Sequence, residues 1–437
     1  MRKCFFAAFI LLSGFSPKSF AQSDILSALQ TDFTNYTKRT SDENVFVHTD
    51  KSFYVAGEII WFKVYVTEAN TDESKVAYVE LLDRNNLTVL NAKIALTNRS
   101  GNGSFQLPLG TSSDNYLLRA YTRQMHNNGP DGFFQKRIAI VNPFKHMEPL
   151  ADRAAASYSI HFFPEGGNMV RELASKVGFE LLDKNGKGIN GKGVIVNEKN
   201  DTITSFSSLQ FGMGSFDFVP QTNHSYKALV SFEDGATLIK SLPEALLQGY
   251  TMIVEEMNND QLRLTVSSNV HSSYPEVFLV THTKNKITNS KRTVISNNIG
   301  LFTIDKSSLS EGVNVFTIFD NEKRPVGERL FFVQPAIKSK VTIQLNKPQF
   351  SSREKVAVSV LPKDSTDLLD MSMAVYHLDS LQAANAEENI IYYSWLSSNI
   401  SGTIEKPSYY FSDTSLEVRK ATDNLMLTHG WRRFKWE

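Results

Sequence analysis

From Asn44 onward the apolar positions of this chain recur with a period of two. Val45-Phe46-Val47, Ile59–Val66 and Val76–Leu82 read as strands, separated by turn-rich stretches. The preceding segment differs. Ile25, Leu26, Leu29, Phe33 and Tyr36 fall at helical spacing, with Ser23 or Asp24 placed to cap them, which predicts a short helix within residues 22–41. No strand–helix–strand rhythm follows, so a parallel nucleotide-binding sheet is not expected. Near the C-terminal end, Glu388–Ser398 and Ser415–Leu427 return to helix-like spacing, the second closing at Gly430.

Internal repetition organises the strands. Asp50-Lys51-x-x-Tyr54-x-x-x-Glu58-x-Ile60-x-Phe62-x-Val64 returns 296 residues later as Asn346-Lys347-x-x-Phe350-x-x-x-Glu354-x-Val356-x-Val358-x-Val360. A glycine turn joined to a strand occurs as Gly101-x-Gly103-x-Phe105, Gly212-x-Gly214-x-Phe216 and, more weakly, Gly300-x-Phe302. A strand ending in an aspartate occurs as Leu81-Leu82-Asp83, Leu181-Leu182-Asp183 and Ile318-Phe319-Asp320. One reused supersecondary unit, of a size suited to a seven-stranded sandwich, accounts for these patterns. The expected fold is all-β: tandem immunoglobulin-like or fibronectin-like antiparallel sandwiches over 42–144, 158–242, 250–335 and 338–437. A short helix precedes them, and the last module carries helical insertions.

Composition narrows the chemistry. The 437 residues hold 46 Lys+Arg and 46 Asp+Glu, so no basic field exists to hold a nucleic acid. Arg2 and Lys3, the apolar run Cys4–Phe15 and the small residues of Ser19-Phe20-Ala21 read as a signal peptide over 1–21, cleaved after Ala21. Its apolar run is too short to span a bilayer, so no transmembrane span is expected in the mature chain. Cleavage leaves 43 basic against 46 acidic residues and removes the one cysteine, Cys4. Disulfides, thiolate nucleophiles and Cys-ligated zinc are then excluded from the mature chain.

The remaining motifs favour structure over catalysis. Gly186-x-Gly188-x-x-Gly191 has the spacing of a dinucleotide fingerprint, but Val194-Ile195-Val196 follows where a helix would have to begin. A glycine-rich β-turn is expected there instead. The nine histidines show no H-E-x-x-H or tight ligand spacing, and His48 beside Asp50 flanks an expected strand end. No catalytic residue, metal or cofactor is expected. Phe162-Phe163-Pro164-Glu165-Gly166-Gly167 reads as a corner between modules, or as an ion contact at a backbone nest. The tail Trp431, Arg432, Arg433, Phe434 and Trp436 mixes aromatics with cations, as binding hot spots do. The same residues could close the core of the last module.

Residues 47–63, with Asp50, Lys51, Tyr54, Gly57 and Glu58, resemble the opening of the macroglobulin domain of the alpha-2-macroglobulin and complement superfamily. More closely, the chain resembles bacterial envelope proteins that carry macroglobulin-like modules. The shared signatures are Tyr78-Val79-Glu80-Leu81-x-Asp83, Leu118-Arg119-Ala120-Tyr121-Thr122, Phe163-Pro164-Glu165-Gly166-Gly167, Glu328-Arg329-Leu330-x-Phe332-Val333, Pro407-x-Tyr409-Tyr410-Phe411 and Leu425-Met426-Leu427-Thr428-x-Gly430-Trp431-Arg432-Arg433-Phe434. In that group the modules often precede a carboxypeptidase-regulatory-like domain and a plug like that of TonB-dependent receptors, and the chain usually continues beyond the point matching Glu437. The resemblance implies macroglobulin-like sandwiches and a non-enzymatic protein which, exported by its signal peptide, resides in the periplasm, in association with the outer membrane or on the cell surface. Its implied partner is an envelope protein such as an outer-membrane transporter component. The competing readings are a thioester-less endopeptidase inhibitor and a glycan-binding protein.

Overall fold

The computed structural model describes residues 25–39, 43–67, 74–145, 158–273, 275–336, 341–362, 370–376 and 389–430. The expected signal peptide and the tail Trp431–Trp436 lie outside the described residues. Helix α1 (Ile25–Thr37) comes first, and three sandwiches follow it.

Module 1 contains β1 (Asn44–Thr49), β2 (Phe53–Val55), β3 (Ile59–Thr67), β4 (Val76–Leu82), β5 (Thr88–Ala95), β6 (Ser100–Gln106), β7 (Asp114–Thr122) and β8 (Phe134–Val141). They form the layers β1-β3-β6 and β2-β8-β7-β4-β5, antiparallel except where β2 runs parallel to β8. The alternation on β3 buries Ile60, Phe62, Val64 and Val66, which share one core with Val79, Leu81, Leu118 and Ile138 of the facing layer.

Module 2 contains β9 (Ser159–Pro164), β10 (Ser175–Leu182), β11 (Gly191–Asn197), β12 (Thr202–Ser207), β13 (Met213–Phe218), β14 (Tyr226–Phe232) and β15 (Thr237–Ser241). Module 3 contains β16 (Tyr250–Glu256), β17 (Gln261–Ser268), β18 (Glu276–Thr283), β19 (Lys286–Val294), β20 (Ile299–Asp305), β21 (Gly312–Phe319) and β22 (Pro325–Val333). The layers are β9-β10-β13 with β12-β11-β14-β15, and β16-β17-β20 with β19-β18-β21-β22. Both modules therefore repeat one strand order, and module 1 repeats it with β2 added.

The glycine motif occupies one place in all three modules, on the strand that follows the second strand of its three-stranded layer in space. Gly103 sits opposite Phe62 and Gly214 opposite Phe179. A Cβ at either glycine would lie 2.5 Å from the facing ring, so the glycine makes room for the aromatic. The aspartate motif behaves differently. Asp83, Asp183 and Asp320 follow β4, β10 and β21, which are not equivalent strands. Each instead closes its own turn. Oδ1 accepts from the backbone N–H groups two and four residues on, at 2.8 and 2.9 Å for Asp83 and Asp183 and at 2.9 Å twice for Asp320. The third pattern is thus a local turn device and carries no module register.

After module 3 come the hairpin β23 (Val341–Leu345) and β24 (Val358–Pro362), then α2 (Ile390–Trp395) and α3 (Leu416–Thr428). The side chain of Asn389 caps α2 and that of Ser415 caps α3. Among the described residues of 338–437 the hairpin is the only sheet. The two helices pack on the earlier modules. Tyr393 enters the core of module 1, its ring 5.6 Å from Phe46 and 5.3 Å from Phe134. Ala421, Leu425 and Met426 of α3 build a separate core with Met213 of β13 and with Leu330 and Phe332 of β22. Leu29 of α1 packs in one cluster with Phe278, Val280 and Phe319 of module 3, and the Phe33 ring meets that of His282 at 5.0 Å. Helical periodicity identifies an apolar face and does not say which module it meets. Among the described residues no helix is long and apolar enough to cross a membrane, which says nothing of spanning by strands.

Candidate functional site

The loop between β1 and β3 is a closed hydrogen-bonded unit. Asp50 Oδ1 accepts from Tyr54 Oη at 2.5 Å and from the Trp61 N–H at 3.0 Å. Lys51 Nζ donates to both oxygens of Glu58 at 2.9 Å, and Glu58 Oε2 also accepts from the Val55 N–H at 2.8 Å. Gly57 takes φ of +94°, which lets the chain turn between β2 and β3. Burial raises the Tyr54 hydroxyl far above its ordinary pKa, and the hydrogen bond to Asp50 adds to this. Lys51 and the Val55 N–H hold Glu58 below its ordinary value despite the opposing effect of burial. These side chains satisfy each other and the turn. His48 does not pair with Asp50; its Nδ1 meets Ser372 Oγ at 2.6 Å, and Tyr65 Oη donates to the same oxygen at 2.8 Å.

The later copy builds the same loop. The Ala357 N–H donates to Asn346 Oδ1 at 2.9 Å, Lys347 pairs with Glu354, and the Ser351 N–H donates to Glu354 Oε2 at 2.8 Å. Each partner lies 296 residues after its counterpart.

The corner after β9 leads to a site that spans modules. Gly166 and Gly167 have φ of +82° and +104°, and a Cβ on Gly166 would lie 2.5 Å from Met252. The corner turns Glu165 inward. There Oε1 accepts from Arg329 Nε of β22 at 2.7 Å and from the Val254 N–H at 3.1 Å. Arg329 also donates to Asp423 of α3, which accepts from Lys176 Nζ of β10 at 2.8 Å. Glu165 and Arg329 are both 2% exposed. Burial pushes the Glu165 carboxyl up, and the Arg329 guanidinium offsets it only in part. Burial also acts upward on Asp423, but Arg329 and Lys176 together hold it below its ordinary value. Module 2, module 3 and α3 thus meet at a four-residue charge clasp.

Of the clasp, the sequence pointed to Glu165, beside the Gly166-Gly167 corner, and Arg329 stood within a shared signature without a role. Lys176 and Asp423 carried no signal, because their chemistry exists only where three elements meet. Beside the clasp lies a cavity of about 430 Å³. On its wall Glu256 pairs with Lys306 at 3.1 Å and with Arg419 at 3.2 Å. No His, Cys, Asp and Glu residues are grouped there, or elsewhere among the described residues, in a set of three that could hold a metal ion. Gly191 and Gly193 of the glycine-rich stretch lie within β11, so no helix N-terminus faces them.

No family model matches the sequence, and no curated protein matches it. Solved structures match parts of it. Native Escherichia coli alpha-2-macroglobulin is 8% identical, over 74% of this chain and 25% of that one, with a TM-score of 0.20. Dimeric latent PorU from Porphyromonas gingivalis is 11% identical, over 66% of this chain and 33% of that one, with a TM-score of 0.30. The BSP domain of a biofilm-associated protein is 12% identical, over 71% of this chain and 70% of that one, with a TM-score of 0.24. The matched region spans about a quarter of the alpha-2-macroglobulin chain.

Proposed function

We propose that this protein is an exported, non-enzymatic scaffold of macroglobulin-like modules that binds other polypeptides in the bacterial envelope, near the outer membrane. The observation that carries this reading is the clasp of Glu165, Arg329, Asp423 and Lys176. Two deeply buried charges, Glu165 and Arg329, hold one module against the next. A catalytic site directs such groups toward a reacting atom. Fixed modules present sheet edges, loops and inter-module grooves in a constant relation, which is what a binding scaffold requires. The module signatures from Asp50 to Glu58 and from Phe163 to Gly167 support the macroglobulin-like assignment. The same resemblance suggests an outer-membrane transporter component of the TonB-dependent kind as partner.

Affinity capture from envelope extracts on the immobilised full chain tests the reading. Recovery of a discrete envelope protein at stoichiometric yield is expected. Recovery of none, or turnover of a substrate by the purified chain, overturns it.

A further inference from the structure

At the foot of module 2, beside the linker into module 3, lies another cavity, of about 500 Å³. Its walls come from Met169 and Arg171, the ends of β11, β13 and β15, the start of β14, and linker residues 242–245. All of them lie within 158–273, which is described without a gap. Main-chain hydrogen bonds hold the walls together. The Leu242 N–H donates to the Tyr226 carbonyl at 3.0 Å, the Leu246 N–H to the Met169 carbonyl at 2.9 Å, and the Arg171 N–H to the Leu246 carbonyl at 3.0 Å. The cavity is thus formed before any ligand arrives.

Its polar groups divide into those already engaged and those that are not. Asn197 Oδ1 accepts from the Lys199 and Asp201 N–H groups at 3.0 and 2.9 Å, and its Nδ2 donates to Asp201 at 3.0 Å. His224 Nδ1 meets Glu198 at 2.9 Å, and Tyr226 Oη accepts from the Gln221 N–H at 3.0 Å. Among the described residues the side chains of Arg171, Lys227, Gln221, Ser225, Ser241 and Glu244 make no hydrogen bond or ion pair. Two cations against one carboxylate leave an excess of positive charge and of N–H donors. Arg171 and Lys227 are also half-buried, so an anion meets them with part of their water already gone. Met169 and Phe218, which are 2 and 4% exposed, supply an apolar part of the wall with Pro220 and Leu242.

We propose that this cavity receives the C-terminal end of a partner polypeptide, with an apolar last residue. The α-carboxylate meets Arg171 and Lys227, the last side chain lies against Met169, Phe218 and Leu242, and Glu244 accepts from the peptide N–H groups. A volume of this size suits a chain end rather than an extended strand. The inference rests on the interaction reading above for its partner, and the two fail separately. Envelope capture that recovers nothing overturns that reading, whereas a defined peptide decides the cavity by itself.

The probe is the N-acetylated tripeptide Ala-Ala-Leu with a free carboxylate, titrated into the full chain beside its C-terminal amide. Saturable binding of the acid is expected, with spectral shifts centred on residues 169–171, 221–227 and 241–245. The amide should bind about tenfold more weakly or worse. Arg171→Gln should abolish that preference and leave the melting temperature unchanged, because the side chain has no partner to lose among the described residues. Lys227→Gln should reduce the preference in the same direction. Equal binding of acid and amide, or an unaltered preference in Arg171→Gln, overturns the proposal. Absence of saturation at about 5 mM peptide also overturns it, whether the cavity rejects the carboxylate or the chain fills it with a segment of its own. Tri-galacturonic acid that binds more tightly than the peptide and displaces it overturns it in favour of an acidic glycan.

Discussion

Arg329 donates from Nε to Glu165 Oε1 at 2.7 Å, although 164 residues separate the two in sequence. This pair joins β22 of module 3 to the corner that ends β9 of module 2, in a site closed to solvent. Removing one partner leaves the other charge buried without compensation. Arg329→Leu is expected to destabilise the chain by about 3–5 kcal/mol, read from urea or thermal unfolding. The double variant Arg329→Leu/Glu165→Leu should recover a large part of that loss, because the uncompensated charge goes with it. Equal losses in the single and double variants would show that the pair is not the source of the penalty.

Asp50 organises its loop through hydrogen bonds that a neutral amide can also accept, as Asn346 does in the later copy. Asp50→Asn should therefore change stability by less than about 0.5 kcal/mol, while Asp50→Ala should lose about 1–3 kcal/mol. Neither variant should alter partner recovery in affinity capture. Loss of the partner with stability intact would assign Asp50 a role in binding.

Gly214 faces Phe179 across β13 and β10. Gly214→Ala would set a Cβ 2.5 Å from that ring. A loss of about 1–3 kcal/mol is expected from the overpacking. Phe179→Leu in the same chain should relieve part of it, and a double-mutant cycle measures the coupling. Strict additivity of the two substitutions would reject the glycine–aromatic account.

His282 is buried against Phe33 of α1, and its Nδ1 meets the Lys284 carbonyl at 3.0 Å. Burial is the larger influence and lowers its pKa from 6.5 to about 4. The unfolded chain then binds a proton more readily than the folded chain between these values. The contribution of His282 to stability is complete above pH 6.5 and declines as pH falls towards 4. Wild type should lose about 3 kcal/mol across that window from this group. His282→Gln should flatten the profile, and an unchanged pH slope in the variant would remove His282 as its cause.

The cysteine at position 4 lies within the expected signal peptide, and no other cysteine exists to form a thioester. Incubation with endopeptidases should yield no SDS-stable adduct and leave cleavage of large substrates undiminished. Selective loss of large-substrate cleavage would favour the inhibitor reading over the scaffold.

Local chemistry made a large part of the architecture legible in the sequence. Alternation along Ile59–Val66 is enough to assign a strand with one buried face. The 296-residue repeat from Asp50 to Val64 anticipated two loops with matching hydrogen bonds and two hairpins in matching register. The spacing in Ser415–Leu427 likewise predicted a helix, because period and cap are properties of neighbouring residues. What each face would meet was decided only by the tertiary structure. Tyr393 lies in the core of module 1 and Leu425 between modules 2 and 3, although both belong to the segment expected to form the last module. The aspartate motif looked like a module repeat because Asp83, Asp183 and Asp320 close identical turns, yet those turns follow non-equivalent strands. Arg329 and Asp423 form a site only because β22 and α3 are brought together. Apolar burial is non-directional, so a sequence specifies which side of an element leaves water; the partner it meets depends on the placement of every other element.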